Sequence, residues 1–246
     1  MKRVIQIDSV IQDSSTATVV VFDPRTGKMQ FVPAVFMVKD GKTEATITRN
    51  TNSMYAIVQN KKTFDDMAGH WAQKDVELLA SKMIINGTSD HSYTPEMQVT
   101  RAQFVAMLVR GLGLSTETLP AVFTDVAATQ WYASKVGTAA KYGLVQGVSE
   151  GLFNPDEHIT REQMVVILMK AVALVQGTAK TDVKATTQFA DQDQLSDYAR
   201  SALSEAVGKG LVHGKTETTF APQDIATRAE AAVMIKQVLQ FLKLIN

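Results

Sequence analysis

Three arginines carry the chemistry this sequence offers. Arg101, Arg161 and Arg228 each sit in a Thr-Arg-x-Gln/Glu tetrapeptide (Thr100–Gln103, Thr160–Gln163, Thr227–Glu230) directly ahead of an apolar run. Thr at an N-cap with Gln or Glu three residues on is a capping box, so each tetrapeptide opens a helix and its Thr is structural first. The Arg then falls at the first helical position, where a cation meets the positive end of the helix dipole at a cost of about 0.3–1 kcal/mol. An unfavourable residue in triplicate asks for a reason. Free first-turn amides beside a guanidinium would bind an anion, and the Arg would hold a carboxylate bidentately. The competing account is a clip in which each Arg pairs with the Asp of its own segment (Asp66, Asp125, Asp191). The two are compatible, with the Asp positioning the Arg.

The arginines stand 60 and 67 residues apart, the spacing of a repeat. Phe64-Asp65-Asp66, Phe123-Thr124-Asp125 and Phe189-Ala190-Asp191 begin 37, 38 and 39 residues upstream of them. An aromatic follows in each copy (Trp71, Trp131, Tyr198), then a helical pattern that ends near Gly87, Gly147 or Gly214, then an extended piece with Pro95, Pro155 or Pro222. For the tryptophans, packing in the core is the favoured account over stacking on a sugar ring. The glycines read as left-handed helix C-caps, with close approach of a ligand to bare backbone second.

The elements that must position these residues follow from periodicity. Residues 1–62 read as strands (Val4–Val10, Ala17–Phe22, Met29–Val38, Lys42–Thr48, Tyr55–Val58) with a tight connection at Asp23–Gly27 and a hairpin at Asp40-Gly41, a small antiparallel β-module. Beyond residue 62 the period turns helical. Ala72, Val76, Leu79, Ala80 and Met83 make one apolar stripe, whereas Phe104–Leu114, Met164–Val175 and Ala231–Leu244 are apolar around most of their circumference and must be buried. The expected fold is mainly α: three central helices against one another, three amphipathic helices outside them, pseudo-threefold.

Composition narrows the function classes. Lys+Arg and Asp+Glu both total 25, so there is no bulk pull towards nucleic acid or acidic membranes. The absence of Cys removes disulfides, thiolate chemistry and Cys-based zinc sites. No apolar run of about 18 residues would span a bilayer, so no membrane insertion is expected. Nucleophile-elbow, phosphate-loop and His-x-x-x-His signatures are missing, and His70, His91, His158 and His213 share no repeat position. Asp65-Asp66 and Asp191-x-Asp193 lack the Gly and bidentate Glu of an EF-hand loop. Neither an enzyme, nor a metal, nor a cofactor is expected. Met1-Lys2-Arg3 has the charge of a signal-peptide start, but Val4–Asp8 breaks off before an apolar core forms. The expectation is an exported protein whose signal peptide and upstream region lie outside this chain.

Phe-x-Asp, His-Trp-Ala, the Gly, the Pro loop and Thr-Arg-Ala-Glu or its variant, in that order three times over, resemble the surface-layer homology (SLH) repeats of bacterial cell-surface proteins. The resemblance covers about three quarters of the chain. It implies a β-module over 1–62 and SLH repeats over 63–119, 120–184 and 185–246, arranged as a six-helix prism. It further implies an extracellular, Gram-positive cell-wall anchor, monomeric in isolation, that binds secondary cell-wall polysaccharide carrying pyruvylated N-acetylmannosamine. The family's groove residues fall on Arg101, Arg161 and Arg228, Asp66, Asp125 and Asp191, Trp71 and Trp131, with Gly87, Gly147 and Gly214 beside them. Copy three departs, with Tyr198 for Trp, no His-Trp and a longer connection from copy two. The alternative is a structural surface-layer assembly protein acting through protein–protein contacts.

Overall fold

The computed structural model describes residues 2–48, 53–116, 122–177 and 189–246. By its internal contacts the chain forms two compact units, one of Met1–Pro95, Arg110–Leu114 and Leu239–Asn246, the other of Glu96–Val109 and Ser115–Val238. The longer connection expected after copy two lies largely outside the described residues.

In the first unit, six strands form two antiparallel three-stranded sheets. One has the order β1 (Lys2–Ile7), β5 (Lys42–Thr48), β4 (Ala34–Lys39); the other has β3 (Lys28–Val32), β2 (Ala17–Asp23), β6 (Tyr55–Gln59). The expected single strand Met29–Val38 is two strands, because Pro33 has no N–H for a ladder and the chain changes sheet there. Asp40 and Gly41, both at positive φ, close the β4–β5 hairpin with Lys39 opposite Lys42, as their sequence signal requires. Ile11, Ala17, Val19, Val32, Ala34, Phe36, Ala45 and Ile47 fill the core between strands.

So few residues bury little apolar surface alone, and the module gains partners elsewhere in its unit. Ala34 N–H donates to Leu244 O at 2.9 Å, and Asn246 exchanges two hydrogen bonds with the Phe36 backbone at 2.8 and 2.9 Å. Lys82, at the C-cap of α1 (Gln73–Ser81), is 1% exposed; its Nζ donates to Ser14 O and Ala17 O, both at 3.0 Å, and lies 5.7 Å from the Phe36 ring centroid. Burial pushes its pKa down to about 8, partly opposed by the Asp13 carboxylate. No sequence pattern marked this lysine.

Of the helices opened by the three tetrapeptides, α4 (Arg161–Gln176) is buried along most of its length, as are α2 (Arg101–Gly111) and α6 (Arg228–Phe241). The other three, α1, α3 (Ala133–Lys141) and α5 (Asp197–Gly208), are half-buried through one stripe each, Val76, Leu79 and Ala80 in α1 and Ala199, Leu203 and Ala206 in α5. Both classes follow from how far round each helix is apolar.

In the second unit the segments leading into α2, α4 and α6 are tied in a closed ring. Val99 N–H donates to Ala226 O, Ala226 N–H to Ile159 O and Ile159 N–H to Val99 O, at 3.0, 3.0 and 3.1 Å. Isolated antiparallel bridges at Gln98–Thr227, Thr100–His158 and Thr160–Ile225 flank it. This ring brings the three helix starts to one place.

Candidate functional site

All three capping boxes form. Gln103 N–H and Gln163 N–H each donate to the N-cap Thr Oγ1 at 3.3 Å, and Glu230 N–H to Thr227 Oγ1 at 3.2 Å. The Gln and Glu side chains accept in return from the N-cap amides at 2.9–3.3 Å. The free first-turn amides expected as part of an anion site are not free. Arg101, Arg161 and Arg228 donate their amide N–H to Glu157 O, Asp224 O and Met97 O at 2.8–3.0 Å, and Ala102 and Glu162 donate theirs to Pro155 O and Pro222 O, both at 3.0 Å. The carbonyls come from another copy's Pro loop, a long-range contact that no local pattern reveals. These five amides are therefore not open to an anion.

The arginine side chains are buried, at 8%, 4% and 7% exposure for Arg101, Arg161 and Arg228. Arg161 has a partner at each nitrogen: its Nε donates to Phe220 O at 2.9 Å, Nη2 to His213 O at 3.3 Å and Nη1 to Glu230 Oε1 at 3.1 Å, over the Phe220 ring at 4.9 Å. Arg101 lies in the same way over Phe153, also at 4.9 Å, and its Nη2 donates to Gln146 O at 3.0 Å, but its Nε is buried without a hydrogen-bond partner. Burial lowers the pKa of both guanidinium groups, opposed by Glu157 and Tyr198 at Arg101 and by Glu230 foremost at Arg161.

The expected Asp–Arg clip is replaced by another. Asp66 accepts from Tyr93 N, Thr94 N and Ser92 Oγ, Asp125 from Phe153 N and Asn154 N, and Asp191 from Phe220 N and Ala221 N, at 2.6–3.1 Å. Among the described residues none of the three carboxylates bonds to an arginine. Each holds its own copy's Pro loop, whose residue before proline (Thr94, Asn154, Ala221) stands at φ 53–57°, a left-handed position that non-glycine residues avoid and that needs such a clamp. The Asp still positions an Arg, by relay. Asp191 fixes Phe220, and the Phe220 carbonyl accepts from Arg161. At Asp66, burial raises the pKa, but the bonds from Ser92, Tyr93 and Thr94 outweigh it and hold the carboxyl below its usual value.

Two further expectations are corrected. Gly87, Gly147 and Gly214 are not helix C-caps; the left-handed residues that follow α1, α3 and α5 are Met83, Gly143 and Gly210. What the three glycines avoid is crowding. A Cβ on any of them would meet two backbone carbonyls of the following turn closer than 3.0 Å, among them Ser92 O, Leu152 O and Thr219 O. The tryptophans, in turn, do not fill the core: Trp71 is 64% and Trp131 56% exposed, and Tyr198 at the equivalent place is 58% exposed. Residues packed beside them, Ala72 and Tyr132, take the buried positions instead.

Sequence reasoning missed Glu162, 2% exposed, where the other copies have Ala102 and Ala229. It accepts from Ser196 N, Ser196 Oγ and Tyr198 Oη at 2.7–3.0 Å. Partial burial of the phenol, then this bond, push the Tyr198 pKa up to about 12. The departure of copy three from Trp to Tyr thus coincides with a carboxylate to receive a hydroxyl. Comparing the copies position by position was the signal that could have found it.

Among the described residues no group of three His, Asp or Glu could hold a metal, and no helix is long and apolar enough to cross a membrane. Comparison with protein families matches the S-layer homology domain at residues 63–105, 122–165 and 188–232. Among curated relatives, an amylopullulanase of Thermoanaerobacterium thermosulfurigenes is 36% identical over 94% of this chain and 12% of its own length. Exoglucanase XynX of Acetivibrio thermocellus is 35% identical over 77% of this chain and 17% of its own. The surface-layer 125 kDa protein of Lysinibacillus sphaericus is 27% identical over 72% and 15%. The chain therefore spans less than a fifth of the length of these relatives.

Proposed function

The chain belongs to the S-layer homology domain family of cell-wall anchoring modules, and from that premise we propose that it is a non-catalytic anchor that binds an anionic secondary cell-wall polysaccharide. The ligand is a glycan with a ketal-linked pyruvate, held at the bacterial surface between repeats that cover 63–119, 120–184 and 185–246 in a pseudo-threefold six-helix prism. The observation that carries this reading is the exposure of Trp71, Trp131 and Tyr198 at equivalent places. Exposed rings of this size cost solvation unless something covers them, and a sugar ring does so. Buried guanidinium groups, kept charged at all working pH, attract the carboxylate, and Asp66, Asp125 and Asp191 hold the loops that shape the site. Gly87, Gly147 and Gly214 let the turn pass close without a side chain in the way.

Calorimetry with a ketal-pyruvylated wall-glycan fragment tests this. Trp131→Ala should weaken binding by about 0.5–1.5 kcal/mol, roughly two- to tenfold, with folding intact because the ring is exposed. The same fragment with its pyruvate removed should bind far more weakly than the intact one. Equal affinity for both fragments would remove the carboxylate from the account. The competing reading, a surface assembly protein working through protein contacts, would show concentration-dependent association without glycan in light scattering.

A further inference from the structure

Arg101 and Arg161 lie in the same framework, each over the Phe ring of a Pro loop and each bonded to the carbonyl before a repeat glycine, Gln146 O and His213 O. They differ in one residue. The capping position that faces Arg161 is Glu230, whose Oε2 accepts from Thr227 N at 2.9 Å while Oε1 accepts from Arg161 Nη1 at 3.1 Å, with side-chain exposures of 14% and 5%. In the preceding copy that position is Gln163, which carries no charge and caps Thr160 in the same way. We propose that Glu230 is an internal carboxylate occupying the Arg161 guanidinium, so that of these two arginines only Arg101 accepts a ligand carboxylate. This rests on the anionic-glycan reading above and decides which guanidinium serves it.

The surroundings of Arg101 point the same way. The residue is 8% exposed, its Nε has no partner, and its Nη1 donates to no described residue. A buried guanidinium with unspent donors is costly unless a ligand completes it. Lys170 adds a second cation close enough that Arg101 contributes to lowering its pKa, after burial. Glu157, which favours the charged form of Arg101, accepts at Oε2 from Asn154 Nδ2 at 2.9 Å, and the Tyr198 phenol donates to Glu162. Tyr198, 58% exposed, is an open aromatic within electrostatic range of Arg101. Two cations and an open aromatic suit a sugar that bears one carboxylate. Arg161 differs in having a partner at every nitrogen, with a carboxylate at Nη1 and carbonyls at Nε and Nη2, so its charge is already paired.

The test is NMR of the arginine Nε–Hε signals of the full chain, assigned through Arg→Lys variants, during titration with sodium pyruvate. Arg101 should shift and Arg161 should not. Glu230→Gln keeps a capping residue that copies one and two already use, and should make Arg161 respond; Gln163→Glu should weaken the Arg101 response roughly ten- to hundredfold, the loss of a charge-assisted contact. An Arg161 that shifts in the wild type as strongly as Arg101, a Glu230→Gln variant in which Arg161 stays silent, or silence at both sites overturns the proposal. Should Glu230→Gln unfold, Gln163→Glu decides alone, since an unchanged Arg101 response there contradicts the mechanism. If Arg101 responds to pyruvate but the chain ignores the wall-glycan fragment, the glycan reading fails and the assignment of the open and closed arginines stands.

Discussion

At the scale of the residue, what the side chains do depends on contacts that residue type alone does not disclose. Trp131 is apolar enough for a core, yet the helix start presents it outward and buries Tyr132 instead. Gly147 looks like a C-cap because helices commonly end in Gly, but the left-handed place is four residues earlier, at Gly143. Gly147→Ala should therefore destabilise by about 1–3 kcal/mol, the cost of forcing atoms into a filled space, although its backbone conformation suits alanine. Chemical denaturation would measure it, and an unchanged midpoint would contradict the crowding account. Lys82 gives a pH signature. Its pKa is lowered from 10.5 to about 8 by burial, so between those values the unfolded chain binds more protons than the folded one. Stability should rise with pH across that window, by at most about 3 kcal/mol, and Lys82→Met should remove the rise.

The elements were legible to the extent that their signals are local. Capping boxes at Thr100, Thr160 and Thr227, the Asp40-Gly41 hairpin and the buried all-apolar helices each rest on residues within a few positions of one another, and each formed as the pattern required. Pro33 was readable too, since proline cannot serve an interior ladder, but the apolar run around it masked the break. What the pattern could not give is where the first-turn amides of α2, α4 and α6 go. They are bonded to carbonyls of another copy's Pro loop, far off in the sequence, a consequence of how the copies meet. A cap's value is still local. Thr160→Ala should cost about 1 kcal/mol by removing the bond to Gln163 N–H, and Thr160→Ser should restore most of it, as thermal unfolding of the two variants would show.

At the scale of the whole molecule, repetition made the family legible before any coordinate, because three ordered copies of weak motifs multiply into one strong signal. It did not disclose that the copies are unequal. Glu162 and Glu230 sit where other copies carry Ala or Gln, and each is bonded to a side chain of its surroundings, Tyr198 and Arg161 respectively. Nor did it show that the β-rich start and the last residues of the chain share one unit, joined through Phe36 and Asn246. The proposed anchoring asks little more of such a chain than a folded body and a ligand fixed to the wall.

The most direct measurement of that claim is co-sedimentation of the purified chain with cell-wall sacculi, compared before and after the secondary polysaccharide is stripped from them. The account predicts that the chain pellets with intact sacculi and stays in the supernatant with stripped ones. Pelleting equally with both, or with neither, would contradict it.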